Sequence, residues 1–228
     1  MPLALSSQRE GAALSAAEVE EARRRCECIA RTIQEVGDGL PVGVAAPGVK
    51  SRDGRGIALA RLGPRIPEMS FWLEDLLGVR LPPLGSDGVL AGVGEERARL
   101  GSFRGATRAY YLAAGTGLAE AVKDGQSIGP GPFPPLYELC GRDDKPFEDL
   151  VSARVWPNAH LQSDLLDLLR ARQRALDFQR VVLGGHLRSA VDVVELSRLL
   201  VGVEVVVSRL PYPAVFGAAA LALGETGT

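Results

Sequence analysis

No stretch of this 228-residue sequence reaches the roughly 18 consecutive apolar residues that a membrane-spanning helix needs. Its opening residues, MPLALSSQREG, carry neither the basic start nor the apolar segment that marks export. Cysteine is scarce: Cys26, Cys28 and Cys140 are too few and too unevenly spaced for a disulfide framework. Cys-x-Cys inside a helical pattern also points the two thiols apart. These absences fit a reducing cytoplasm. No long run of one charge sign occurs, and the formal net charge is −2, so there is no electrostatic case for a nucleic-acid surface. The cluster Arg23-Arg24-Arg25 sits among Glu18, Glu20, Glu21 and Glu27, the mixture of a solvated helix face. Histidine occurs only at His160 and His186, in no catalytic spacing, and both read as helix-capping or solvent positions.

What is present is the composition of a globular domain, 46% hydrophobic and 24% charged. Ala22, Cys26, Ile29, Ile33 and Val36 step by four and three, one face of an amphipathic helix. Ser15 with Glu18 forms its capping box, and Gly37 and Gly39 its stop. PVGVAAPG reads as a short strand, followed by a glycine-rich hairpin or loop to about residue 61. MSFWLEDLLG suits a helix and VRLPPL a strand. Ser86 or Asp87 can then cap the helix GVLAGVGEERARL.

The second half opens on two β-type runs around Gly115-Thr116-Gly117, with a further turn at Asp124-Gly125. The proline-rich GPGPFPP reads as an ordered loop. Helices are expected over 147–153 and 164–176, then the buried strand RVVLGG. A helix capped by Ser189 ends near Leu200, VEVVVS forms a strand, and Pro213 opens a last helix. Alternating strands and helices predict an α/β fold of two lobes around a cleft.

Three places carry chemical potential. The Gly115-Thr116-Gly117 turn lacks the Cβ atoms that would keep a phosphate away and adds a hydroxyl donor, yet a purely structural turn fits as well. Gly184-Gly185 fits a tight strand-to-helix turn or a bed for adenine and ribose. Asp87, after a strand and at a helix start, is an N-cap or a general base for a substrate hydroxyl.

Together and in this order, VGVAAPG, SDGVLAGVGE, AAGTGLAEAVKDG, FEDLVSA, RVVLGG and FGAAALAL resemble the ROK family of sugar kinases, within the actin-like and hexokinase-like ATPase superfamily. The resemblance implies a two-lobed actin-like ATPase fold of the ribonuclease H-like type, with its first lobe incomplete. It places an N-terminal lobe at 1–106, lacking the first β-hairpin, and a C-terminal lobe at 107–228, whose last helix is a candidate to return to the first lobe. It makes Asp87 the catalytic base, Ser86, Asp87 and Glu138 sugar-binding residues, and Gly115, Thr116, Gly117, Gly184 and Gly185 nucleotide-binding residues. It also implies a homodimer, with ATP and magnesium as cofactors if the protein is active.

The departures from the family pattern are specific. Ser86 stands where the family has asparagine, a shorter hydroxyl in place of an amide. Ala119 and Glu120 follow the glycine turn where further glycines are usual, and a carboxylate there repels phosphate unless it points away. Glu138 is followed by Leu139-Cys140-Gly141, without the family's histidine. Cys140 is the only remnant of the zinc-binding cysteine cluster, and structural zinc needs about four ligands, so no zinc is expected. MPLALSSQREG resembles the end of the third strand, after the family's Asp-x-Gly-Gly-Thr phosphate turn and its magnesium-side aspartate, and the second lobe is shortened. The expectation is a ROK-like homologue that is inactive or very weak in phosphoryl transfer and retains sugar or nucleotide binding. The alternatives are an active sugar kinase completed by a further N-terminal segment, and a non-catalytic regulatory or scaffold protein.

Overall fold

The computed structural model describes residues 13–37, 39–60 and 64–224. The opening MPLALSSQREG, expected to hold a strand end, lies outside them. The chain divides into two compact units. One takes the described residues up to Asp87 and those from Ala218 onward, and the other runs Gly88–Gly217.

In the first unit, α1 (Ala16–Val36) begins as its capping box dictates: Ser15 accepts from the Glu18 N–H, and the Glu18 carboxylate accepts from the Ser15 N–H at 2.8 Å. The helix packs on α2 (Met69–Leu77) by small residues, Ala22, Cys26 and Ala30, which sit with Leu73 in the core. Burial pushes the Cys26 thiol up to about 11, so it is an inert packing group. Val36, expected on the buried face, is 77% exposed. The much longer α1 runs past the end of α2, where Gln34 Nε2 donates to the Leu76 carbonyl at 3.1 Å.

The strands of this unit are short. β1 (Ala45–Ala46) pairs in parallel with β4 (Gly85–Ser86), and β2 (Val49–Lys50) pairs antiparallel with β3 (Ile57–Leu59). The strand expected over VRLPPL does not form. Pro82 and Pro83 have no N–H to give a ladder, and this segment is held otherwise: the Leu81 N–H donates to Glu74 Oε1 at 2.7 Å and the Leu84 N–H to the Gly54 carbonyl at 2.8 Å.

The second unit is built on a five-stranded sheet of order β7-β6-β5-β8-β9, with β5 (Arg108–Ala114), β6 (Leu118–Asp124), β7 (Ser127–Gly129), β8 (Arg180–Gly185) and β9 (Glu204–Val207). β6 runs antiparallel to β5 and β7, whereas β8 is parallel to β5 and β9. Alternation along the strands sorts side chains to two faces. Tyr110, Leu112, Val181 and Leu183 pack with α4 (Phe147–Val151) and α5 (Leu161–Leu176). Ala109, Tyr111, Ala121 and Val182 pack with Phe103 and with Ala91 of α3 (Asp87–Arg97). α8 (Pro213–Ala222) starts at Pro213 as the sequence predicts and crosses α3 so tightly that a Cβ at Gly217 would lie 1.8 Å from the Leu90 carbonyl oxygen.

Two helix expectations change. Ser189 is not a cap. It lies inside the single turn α6 (Leu187–Ala190), and Asp192 caps α7 (Val193–Leu199) by accepting from the Glu195 N–H at 3.0 Å. α4 stops at Val151 rather than at residue 153, because the Ala153 N–H donates to the Gly115 carbonyl at 2.7 Å. The chain then makes a 3₁₀ turn over Ala153–Val155.

Candidate functional site

In the first unit, β1 lies beside β4 with Ala46 opposite Ser86, and Asp87 is the first residue of α3. The Lys50 ammonium donates to the Ala46 carbonyl at 2.7 Å and to the Gly48 carbonyl at 2.8 Å. Burial pushes Lys50 below the ordinary lysine value, and the negative charge of Asp87 pulls it partly back. Ser86, Asp87 and Lys50 thus form a carboxylate, a hydroxyl and a cation around one strand end. The sequence reading missed Lys50. Its only signal is that it is the first charge after an apolar run and a Pro-Gly turn.

In the second unit, the parallel register sets Ala113 opposite Gly184 and Ala114 opposite Gly185. This brings the Gly115 turn and the Gly184-Gly185 pair side by side, at the carboxyl ends of adjacent parallel strands. Open α/β sheets bind their ligands at such ends. Gly115 and Thr116 are exposed, and a Cβ at Gly115 would meet nothing within 4 Å. The Gly115 N–H, however, donates to the Gly117 carbonyl at 2.8 Å, so it is already used within the turn.

The paired glycines have packing reasons of their own. A Cβ on Gly184 would lie 2.4 Å from the Tyr111 hydroxyl. Gly185 has φ +62°, and its Cβ would lie 2.2 Å from the Ala114 carbonyl oxygen. Directly after them, His186 turns back over β5. Its N–H donates to the Ala114 carbonyl at 2.9 Å, and its Nδ1 to the same oxygen at 2.7 Å. Since a carbonyl only accepts, Nδ1 carries the proton, and Nε2 is left buried without a hydrogen-bond partner among the described residues.

Two carboxylates stand near the turn, with opposite orientations. Glu120 points away from it, into the core: it accepts from the Tyr110 hydroxyl at 2.6 Å and from Arg172 at 2.7 Å, and Arg172 also reaches the carbonyls of Pro134 (3.0 Å) and Pro132 (3.3 Å). Burial raises the Glu120 carboxyl above its usual range despite these donors, and burial holds the Tyr110 hydroxyl well above its own. Glu148, at the start of α4, faces the turn: its Oε1 lies 2.6 Å from where a Cβ of Gly117 would be. Arg154 stands 3.8 Å from Glu148 and 3.6 Å from Asp149. The segment FEDLVSA hinted at Glu148 without giving it a role.

Glu138 is exposed on the loop before this helix. The neighbouring Leu139 carbonyl accepts from the Phe147 N–H at 2.8 Å, which ties that loop to the residue beside Glu148. Cys140 is exposed with its thiol 3.8 Å from the Glu138 carbonyl, and among the described residues no three His, Cys, Asp or Glu side chains gather as a metal site. The predicted site residues therefore fall on both units: Ser86 and Asp87 on the first, the two glycine turns and Glu138 on the second.

No family model matches the sequence, and no curated protein matches it. Solved structures do. An inorganic polyphosphate/ATP-glucomannokinase from Arthrobacter sp. strain KM superposes with a TM-score of 0.68 at 19% identity, over 89% of this chain and 84% of that one. A ROK family glucokinase from Streptomyces griseus, in complex with glucose and AMPPNP, gives 0.68 at 16%, over 89% and 88%. A ROK family transcriptional regulator, a homolog of E. coli MLC, gives 0.60 at 10%, over 92% and 69%. The likeness is one of fold, and this chain carries the actin-like ATPase fold of the ROK sugar kinases.

Proposed function

We propose that this chain is a ROK-type sugar-kinase homologue that binds a hexose and an adenine nucleotide and transfers phosphoryl groups very weakly or not at all. The observation that carries this reading is the pairing of the Gly115–Gly117 turn with Gly184-Gly185 at the carboxyl ends of β5 and β8. Thr116 and Gly117 would receive the phosphates and Gly184-Gly185 the adenosine; Ser86 and Asp87 on the first unit, and Glu138 on the second, are the sugar-binding candidates. The nucleotide, with magnesium, supplies the phosphoryl group when bound.

Two details weigh against efficient transfer. The Gly115 N–H is spent on Gly117, and loss of one preorganised donor lowers catalysis by about 10²–10³-fold. Glu148 beside Gly117 is the second, because a phosphate there must share the Arg154 guanidinium with that carboxylate. One arrangement favours the rival reading of an active sugar kinase: Asp87 opens α3 next to β4 with the Lys50 cation near it, a carboxylate that could serve as base for a sugar hydroxyl.

Calorimetry with glucose and with AMPPNP is expected to show binding of both, alongside ATP turnover at the limit of detection. Absence of both binding events would overturn the proposal in favour of a partner-binding role. Glucose-dependent ADP release that Asp87→Asn abolishes would instead establish the active kinase. The family resemblance further points to a cytoplasmic homodimer, and a sedimentation mass twice that of the 24.1 kDa chain is the expected result.

A further inference from the structure

The 3₁₀ turn Ala153–Val155 and the tryptophan after it belong to no segment that the resemblance assigns to a ligand, yet they sit against both glycine turns. Ala153 is fixed to the first turn by its N–H bond to the Gly115 carbonyl at 2.7 Å. Arg154 follows, with a side chain 37% exposed. Its contacts to Glu148 and Asp149, at 3.8 and 3.6 Å, are longer than hydrogen bonds, so the guanidinium is held nearby by charge without being locked in one geometry. The Glu148 oxygen that it faces is the one lying against Gly117. Arg154 is therefore the cation placed to offset Glu148 at the phosphate end.

Trp156 addresses the other turn. Its ring meets the His186 imidazole edge-on, with centroids 5.9 Å apart, and 53% of the residue stays exposed. An indole this exposed, set against the residue that follows Gly184-Gly185, offers a flat face for a planar ring. The buried Nε2 of His186 beside it is without a hydrogen-bond partner among the described residues.

We propose that Arg154 and Trp156 form a clasp for an adenine nucleotide, in which Trp156 stacks on the base and Arg154 pairs with a phosphate. The inference rests on the nucleotide-binding reading above and adds to it the residues that read the two ends of the ligand. Arginine suits the task because its planar fork matches phosphate oxygens bidentately.

The test is titration of the full chain with ADP and with adenosine, followed both by tryptophan emission and by calorimetry. The chain has two tryptophans, Trp72 and Trp156, so Trp156→Phe isolates the signal. ADP is expected to quench the emission, the quench is expected to vanish in Trp156→Phe, and Arg154→Ala is expected to weaken ADP about tenfold. Adenosine binding is expected to change less than twofold in Arg154→Ala. If calorimetry shows ADP binding while emission stays constant and both variants bind ADP like the parent, the clasp is wrong and nucleotide binding stands. If the parent chain binds no ADP at all, the clasp and the proposed function fail together.

Discussion

Replacing Arg172 with methionine is expected to cost about 3–5 kcal/mol of stability, because it leaves a buried carboxylate without its cation. Arg172 is 2% exposed and holds Glu120, while its other bonds fasten the carbonyls of Pro132 and Pro134. The melting temperature should fall on the order of 10 °C. The deficit also depends on pH, with a sign that can be worked out. Burial already raises the folded-state value of Glu120, and Arg172 is one of the groups that lowers it, so the substitution raises it further. A group with a raised folded value contributes stability that is fully present below its unfolded value and is lost as pH rises through the folded one. The gap between parent and variant in urea melts should therefore be wide at pH 8 and narrow near pH 4.5. A gap of equal width at both would show that Glu120 does not carry the effect.

Glu95→Ala is the second substitution with a large expected effect, about 2–5 kcal/mol. Glu95 is fully buried in α3, and both its oxygens are taken: Oε2 accepts from the Ser102 N–H at 2.7 Å and Oε1 from the Ser208 hydroxyl. Alanine removes both acceptors and leaves the part-buried Ser102 N–H without its acceptor. The Ser208 hydroxyl retains the Leu210 carbonyl, at 3.1 Å, as an alternative acceptor. Glu95→Gln keeps one acceptor oxygen for Ser102 and should lose clearly less in the same denaturation experiment. Equal losses for the two variants would mean that the volume of the side chain matters and its hydrogen bonds do not. Because α3 begins at Asp87, the alanine variant should also disturb whatever chemistry Asp87 performs.

Features carried by neighbours in sequence were legible, and those carried by distant pairs were not. Ser15 and Glu18 announce α1 because a capping box is complete within four residues. The β5–β6 hairpin shows in the Gly-Thr-Gly between two β-type runs, and Pro213 shows the start of α8. VRLPPL misled because its leucines are buried as a strand's would be, and the absent proline N–H groups outweigh that pattern. Glu120 shares a strand face with Leu118 and Val122, so period-two alternation already turns it toward the core. Its partner Arg172 lies 52 residues on, and nothing local names it. The position of Lys50 near Asp87 likewise depends on β1 meeting β4 across some forty residues. The end of α4 is set by a carbonyl in a different hairpin, which no periodicity in FEDLVSA contains.

The Ala114 carbonyl has a mechanical consequence. It is the last peptide oxygen of β5 before the Gly115 turn, and it takes both hydrogen bonds of His186, the residue just past Gly184-Gly185. One oxygen thus yokes the two turns, in addition to the β5–β8 ladder that already pairs their strands. A substitution that displaces this carbonyl would therefore disturb both turns at once.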